Sequence, residues 1–104
     1  MSGGPDLSTL VERMLVASAA RSGCPVAPGE AETARWASAT FVGARHLLTL
    51  RGAASARMEE WLLRLPEVDF DLRGHLVADV IVAAVRRDAG ELAATIEVLT
   101  VEER

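Results

Sequence analysis

The chain has 104 residues, half of them apolar, a net charge of -4 and one cysteine, Cys24. That length holds one modest core and not two, the lone cysteine excludes an intramolecular disulfide and a cysteine-only metal cluster, and the acidic balance argues against nucleic acid as a partner. Every basic residue is arginine, which reads as the codon usage of a GC-rich bacterial genome before it reads as an arginine-rich binding surface.

The opening Met-Ser-Gly-Gly-Pro lacks the basic start and apolar segment of a secretory signal, and no apolar run reaches the ~20 residues of a membrane span. A cytoplasmic protein with no membrane partner is expected, one domain over residues 1–104 with residues 1–6 mobile. Leu7, Leu10, Val11, Met14, Leu15 and Ser18 follow helical spacing; Asp6, or Thr9 with Glu12 as a capping box, starts this helix and Gly23 ends it. Cys24 follows as a small, half-buried residue. Residues 24–32 carry Pro25, Pro28 and Gly29 and predict a connecting loop.

From Thr33 to Arg51 the apolar pattern changes to period two, and Gly43-Ala44 suits a type II′ hairpin turn that pairs Val42 with Arg45. Ala37, Ala39, Phe41, His46, Leu48 and Leu50 then face the core, while Trp36, Arg45, Leu47 and Thr49 face away. Ser55 is placed to cap a second helix with Met58, Trp61, Leu62 and Leu65 as its stripe, stopped by Pro66. The last third, Leu72 to Glu102, reads as a long hairpin around a three-residue loop, Asp88-Ala89-Gly90, with Arg87 opposite Glu91. That register sends Leu76, Ala78, Val80, Val82 and Ala84 inward with Leu92, Ala94, Ile96, Val98 and Thr100. It leaves Arg73, His75, Val77, Asp79 and Ile81 outside with Glu97, Leu99 and Val101. A two-residue loop would set Glu97 opposite Val82 among core side chains, which burial of a charge disfavours.

The order helix, hairpin, helix, hairpin (αββαββ) predicts an α+β two-layer sandwich: a four-stranded antiparallel sheet with both helices on one face, like a ferredoxin-like plait whose first strand has moved to the C-terminus. The strand ending near Arg51 and the terminal strand would lie centrally, with the Leu72 to Arg87 strand at an edge. The other sheet face is left uncovered. There Trp36, Arg45, Leu47, Arg73, His75, Val77, Asp79, Ile81, Glu97 and Leu99 are the candidate ligand or interface residues, an apolar patch rimmed by polar groups.

No catalytic residue, metal site or cofactor is expected. His75 shares its predicted face with Arg73 and Asp79, but residues four apart on a strand are ~13 Å distant, too far for Asp79 to orient the ring. His46 points the other way as a packed histidine, so the two cannot share a metal. Asp79 and Glu97 are diagonal neighbours, read as partners of arginines such as Arg45, Arg51 or Arg73. Gly74, taken as a strand glycine, suggests a bulge or a close approach of another chain. No nucleophile elbow, phosphate loop or lysine is present. The leading expectation is a non-enzymatic binding or assembly module that homodimerises through the open face. The alternative is a small-molecule site or modest enzyme on that face or in the dimer groove, and a partner protein on the edge strand is the third reading.

Overall fold

A computed structural model describes residues 6–103; the first five residues of the segment expected to be mobile lie outside them. Asp6 is the N-cap of helix α1 (Leu7–Arg21), its side chain accepting from Thr9 N at 3.0 Å. The acceptor offsets one of the helix's four unpaired N–H groups, and the same bond holds the Asp6 carboxyl below its usual pKa. Gly23 takes φ +79° just past the helix end, a conformation open to glycine.

Strand β1 (Ala27–Ala37) begins inside the stretch expected to be a loop. It is an edge strand with a register slip between Pro28 and Ala31, and edges and bulges are where a sheet tolerates proline, which explains why the prolines misled. The hairpin to β2 (Val42–Ala53) turns at residues 38–41, not at Gly43-Ala44. Ser38 organises the turn, its Oγ accepting from Phe41 N at 3.0 Å and its N–H donating to Phe41 O at 2.8 Å. Phe41, expected in the core, is therefore 54% exposed at the loop, as Ala39 is.

Ser55 caps α2 (Ala56–Arg64), accepting from Met58 N at 3.1 Å, and Pro66 falls in the short 3-10 turn Leu65–Glu67 that ends it. The two-residue strand β3 (Asp71–Leu72) precedes β4 (His75–Asp88) and β5 (Glu91–Glu102). The result is an α+β fold with an antiparallel five-stranded sheet, ordered β1-β2-β5-β4-β3, so the expected count of four is corrected by β3. As expected, β2 and β5 are central. Gly74, with φ +81°, sits in the tight turn between β3 and β4 rather than in a strand.

The β4–β5 hairpin closes through two residues, Ala89 and Gly90, both at positive φ, as a type I′ turn requires. Glu97 nevertheless stays opposite Ile81. The expected clash is avoided because β4 carries two bulges, at Ala78 and Ala83, and each extra residue resets the side-chain alternation. Three registers thus share one hairpin: the inferred pairing holds only for the middle segment, Asp79 to Val82.

Both helices lie on one sheet face. Val11, Leu15 and Ala19 of α1 and Met58, Trp61 and Leu62 of α2 form one cluster with Leu48, Leu50, Leu92, Ala94, Ile96 and Val98. Trp61 Nε1 donates to Ser18 Oγ at 3.0 Å, so the indole's one polar atom is satisfied inside the core while it joins the helices. Cys24 is buried, donating weakly to Ala19 O at 3.5 Å, and burial pushes its thiol pKa up. Among the described residues no helix is long and apolar enough to cross a membrane.

Candidate functional site

Two regions gather chemistry-bearing side chains, one on each face of the sheet. The pairings set the open face out as rows across four strands. Trp36, Gly43, Val101 and Leu76 form the first, Ala34, Arg45, Leu99 and Asp79 the second, and Glu32, Leu47, Glu97 and Ile81 the third. Of the ten residues expected here, Trp36, Arg45, Leu47, Asp79, Ile81, Glu97 and Leu99 share this face. His75 and Val77 do not: the bulge at Ala78 turns them to the helix side, opposite Glu102 and Thr100. Arg73 lies in the β3–β4 turn, its carbonyl accepting from His75 Nδ1 at 3.3 Å. Leu76, expected inward, is 56% exposed on the open face by the same bulge.

Arg45 Nε meets Glu97 Oε2 at 3.0 Å across β2 and β5, the cross-strand partnership expected for Glu97. Trp36 lies over Gly43. A Cβ at Gly43 would collide with the indole ring and with the Thr100 carbonyl, so a backbone position with no side chain is what lets the ring lie against the sheet. Trp36 Nε1 is buried and has no hydrogen-bond partner, which loses the full solvation of an N–H group, about 1–3 kcal/mol.

The second region is a cleft of about 340 Å³ on the helix face, lined by Asp6, Leu7 and Ser8 of the α1 start, Thr33 and Arg35 of β1, Gly43 and Ala44 of β2, His75 of β4 and Glu102 of β5. It exists because small side chains make its floor: Ala44 lies between Arg35 and Thr100 in the register, at the sheet end where α1 begins. The dipeptide that resembles a turn in the sequence is the bottom of this cleft.

His46 lies beneath it, 1% exposed. Its Nδ1 and Nε2 sit 3.1 Å from Thr33 Oγ1 and Thr100 Oγ1. The Thr100 hydroxyl also reaches Ala44 O at 3.4 Å, so both ring nitrogens of the buried histidine face a threonine hydroxyl. Burial, and then the charge of nearby His75, hold His46 below its ordinary pKa and keep it neutral. Above it, Arg35 Nη2 approaches Glu102 Oε2 at 3.5 Å, a single loose contact between exposed groups.

The two histidines thus share a face, against expectation, yet among the described residues no group of three potential ligands gathers to hold a metal ion. Thr33, Arg35, Thr100 and Glu102 were not singled out as site residues in the sequence. Placing the turn at Ser38, a residue suited to organising one, would have brought Thr33 opposite His46. Comparisons with known proteins return no match to any family model, curated protein or solved structure.

Proposed function

We propose that the protein is a non-enzymatic binding or assembly module that forms a homodimer by burying the open face of its sheet against a second copy. The observation that carries this reading is the exposure of Leu47 (36%) on β2 and of Ile81 (43%) and Leu76 on β4, the two strands that flank β5, on the one side of the sheet with no helix. Four strands of about eleven residues span roughly 700 Å² in projection, close to the ~800 Å² each partner contributes to a stable interface. Arg45 and Glu97 give the patch both signs of charge, so a two-fold axis presents each to its opposite on the other copy. Nucleic acid fits poorly, because among the described residues Trp36 is the face's one aromatic and the same face carries the acids Asp79, Glu97 and Glu32. The chain order fits a ferredoxin-like plait with its first strand moved to the C-terminus and β3 added at an edge, and the cytoplasm remains the proposed compartment.

Sedimentation equilibrium tests the dimer. The wild-type chain is expected at twice its monomer mass at about 100 μM, within reach of micromolar affinity. Ile81→Glu places a charge in the patch at a position already in contact with solvent, so it is expected to give a folded monomer. A wild type that stays monomeric at that concentration refutes the proposal, as does an Ile81→Glu variant that dimerises unchanged.

A further inference from the structure

The cleft on the helix face lies apart from the proposed dimer surface, and its chemistry is narrower than its size. Its walls carry two acids, Asp6 and Glu102, facing an arginine and a histidine, Arg35 and His75. A simple anion meets the acids and a simple cation meets the arginine, each an unfavourable like-charge contact. A ligand carrying both charges a few ångströms apart satisfies both walls. We propose that the cleft binds a small zwitterion of the α-amino-acid class, its carboxylate on Arg35 and its ammonium among Glu102, Asp6 and the Thr33 hydroxyl oxygen.

Three features support this assignment. The volume, about 340 Å³, lies at the small end of ligand sites. Arg35 has five N–H donors and one loose contact, so a carboxylate can take a bidentate pair without dismantling a strong interaction. Thr33 Oγ1 lines the cleft and sits 3.1 Å from His46 Nδ1, and its hydroxyl oxygen has lone pairs that can accept from an ammonium. Leu7 and Ala44 supply the apolar part of the lining, against which a short aliphatic side chain can pack.

Calorimetric titration of the full chain with L-alanine, L-leucine, L-methionine and L-phenylalanine tests it, alongside 4-methylpentanoate and isopentylamine, which are leucine without its amine and without its carboxylate. At least one amino acid is expected to bind below about 1 mM, with both truncated analogues about tenfold weaker if matched to leucine. Arg35→Met, at a solvent-exposed side chain, is expected to weaken that amino acid about tenfold, while Ile81→Glu leaves its binding unchanged. Absence of binding by all four amino acids up to about 10 mM overturns the proposal. So does binding of either truncated analogue as tight as leucine, or an Arg35→Met variant that binds as the wild type does. Because Ile81→Glu acts on the other face, loss of the dimer and loss of the ligand are read separately.

Discussion

The two faces of the sheet are built from the same strands, and along β2 and β5 the side chains alternate without interruption, yet the faces end in different environments. On β2, Leu48 and Leu50 vanish beneath the helices while Leu47, next to Leu48 in the chain, stays exposed; on β5, Ile96 and Val98 are sealed while Leu99 is partly open. Residue type does not distinguish these positions. What distinguishes them is that both amphipathic helices lie on one side, so a period-two pattern assigns a side chain to a face but does not say whether that face is dry. The sharpest way to break the comparison is to truncate matched residues. Ile96→Ala, in the sealed layer, is expected to lose about 2–5 kcal/mol in denaturant unfolding. Leu47→Ala, one layer away, is expected to lose under about 1 kcal/mol in dilute solution, where nothing covers it. Equal losses would mean that the open face is as well packed as the core.

Gly43 is where the open face depends on its backbone. Gly43→Ala forces the Trp36 ring off the sheet or shifts the strand against Thr100, and an overpacking cost of about 1–3 kcal/mol is expected. Trp36 fluorescence should shift to longer wavelength as the indole gains water. The double variant Gly43→Ala with Trp36→Ala removes the ring half of the conflict, so it should cost less than the two single changes added together.

The hairpins explain which features were legible. In the first, the expected turn was misplaced because Gly43-Ala44 carries the composition of a turn, whereas the true loop is held by a serine hydroxyl. The displacement was an even number of positions, and an even displacement leaves alternation intact. Thus His46, Leu48 and Leu50 were assigned inward correctly, and Trp36 and Arg45 outward. In the second, the turn was missed by only one residue, but the bulges at Ala78 and Ala83 reversed the alternation on both sides of the Asp79 to Val82 segment. Alanines carry no signal for a bulge: the cause is the register imposed by a two-residue turn at one end and the core demand for Val80, Ile96 and Val98 in the middle. His75 changed faces for this reason, and the cleft it helps to line was invisible from the sequence.

His46 gives the helix face a pH dependence. Burial penalises the charged ring and the neighbouring His75 adds to the penalty, so the folded pKa lies below the ordinary value of 6.5. The unfolded chain then takes up the proton more readily. Stability from this residue is fully present above pH 6.5 and is lost on acidification through the lower, folded value. Asp6 of α1, Arg35 of β1 and Glu102 of β5 also line the cleft above the ring, so the comparison must isolate the histidine. Thermal melts of wild type and His46→Gln from about pH 7.5 to about pH 5 do so, the wild type being expected to lose more on acidification than the variant. Parallel losses would place the proton elsewhere.

The smallest effect reports most directly on whether the open face is covered. Arg45 and Glu97 form a cross-strand pair at 3.0 Å on the uncovered side of the central strands. In water such a pair is worth about 0.2–1 kcal/mol, because solvent screens the charges and two long side chains must be ordered. Under a second copy the same pair is desolvated, and close interfacial charge pairs show couplings of about 1.5 kcal/mol or more. A double-mutant cycle with Arg45→Met and Glu97→Gln, measured at increasing chain concentration, therefore separates the two states of the face. The coupling is expected to be below about 1 kcal/mol in dilute solution, to shrink in 1 M salt, and to rise as dimer forms. A coupling that stays small and salt-sensitive while sedimentation shows a dimer would mean that the copies meet elsewhere, and that the exposed row from Leu47 to Ile81 is wet in the assembly as well as in the single chain.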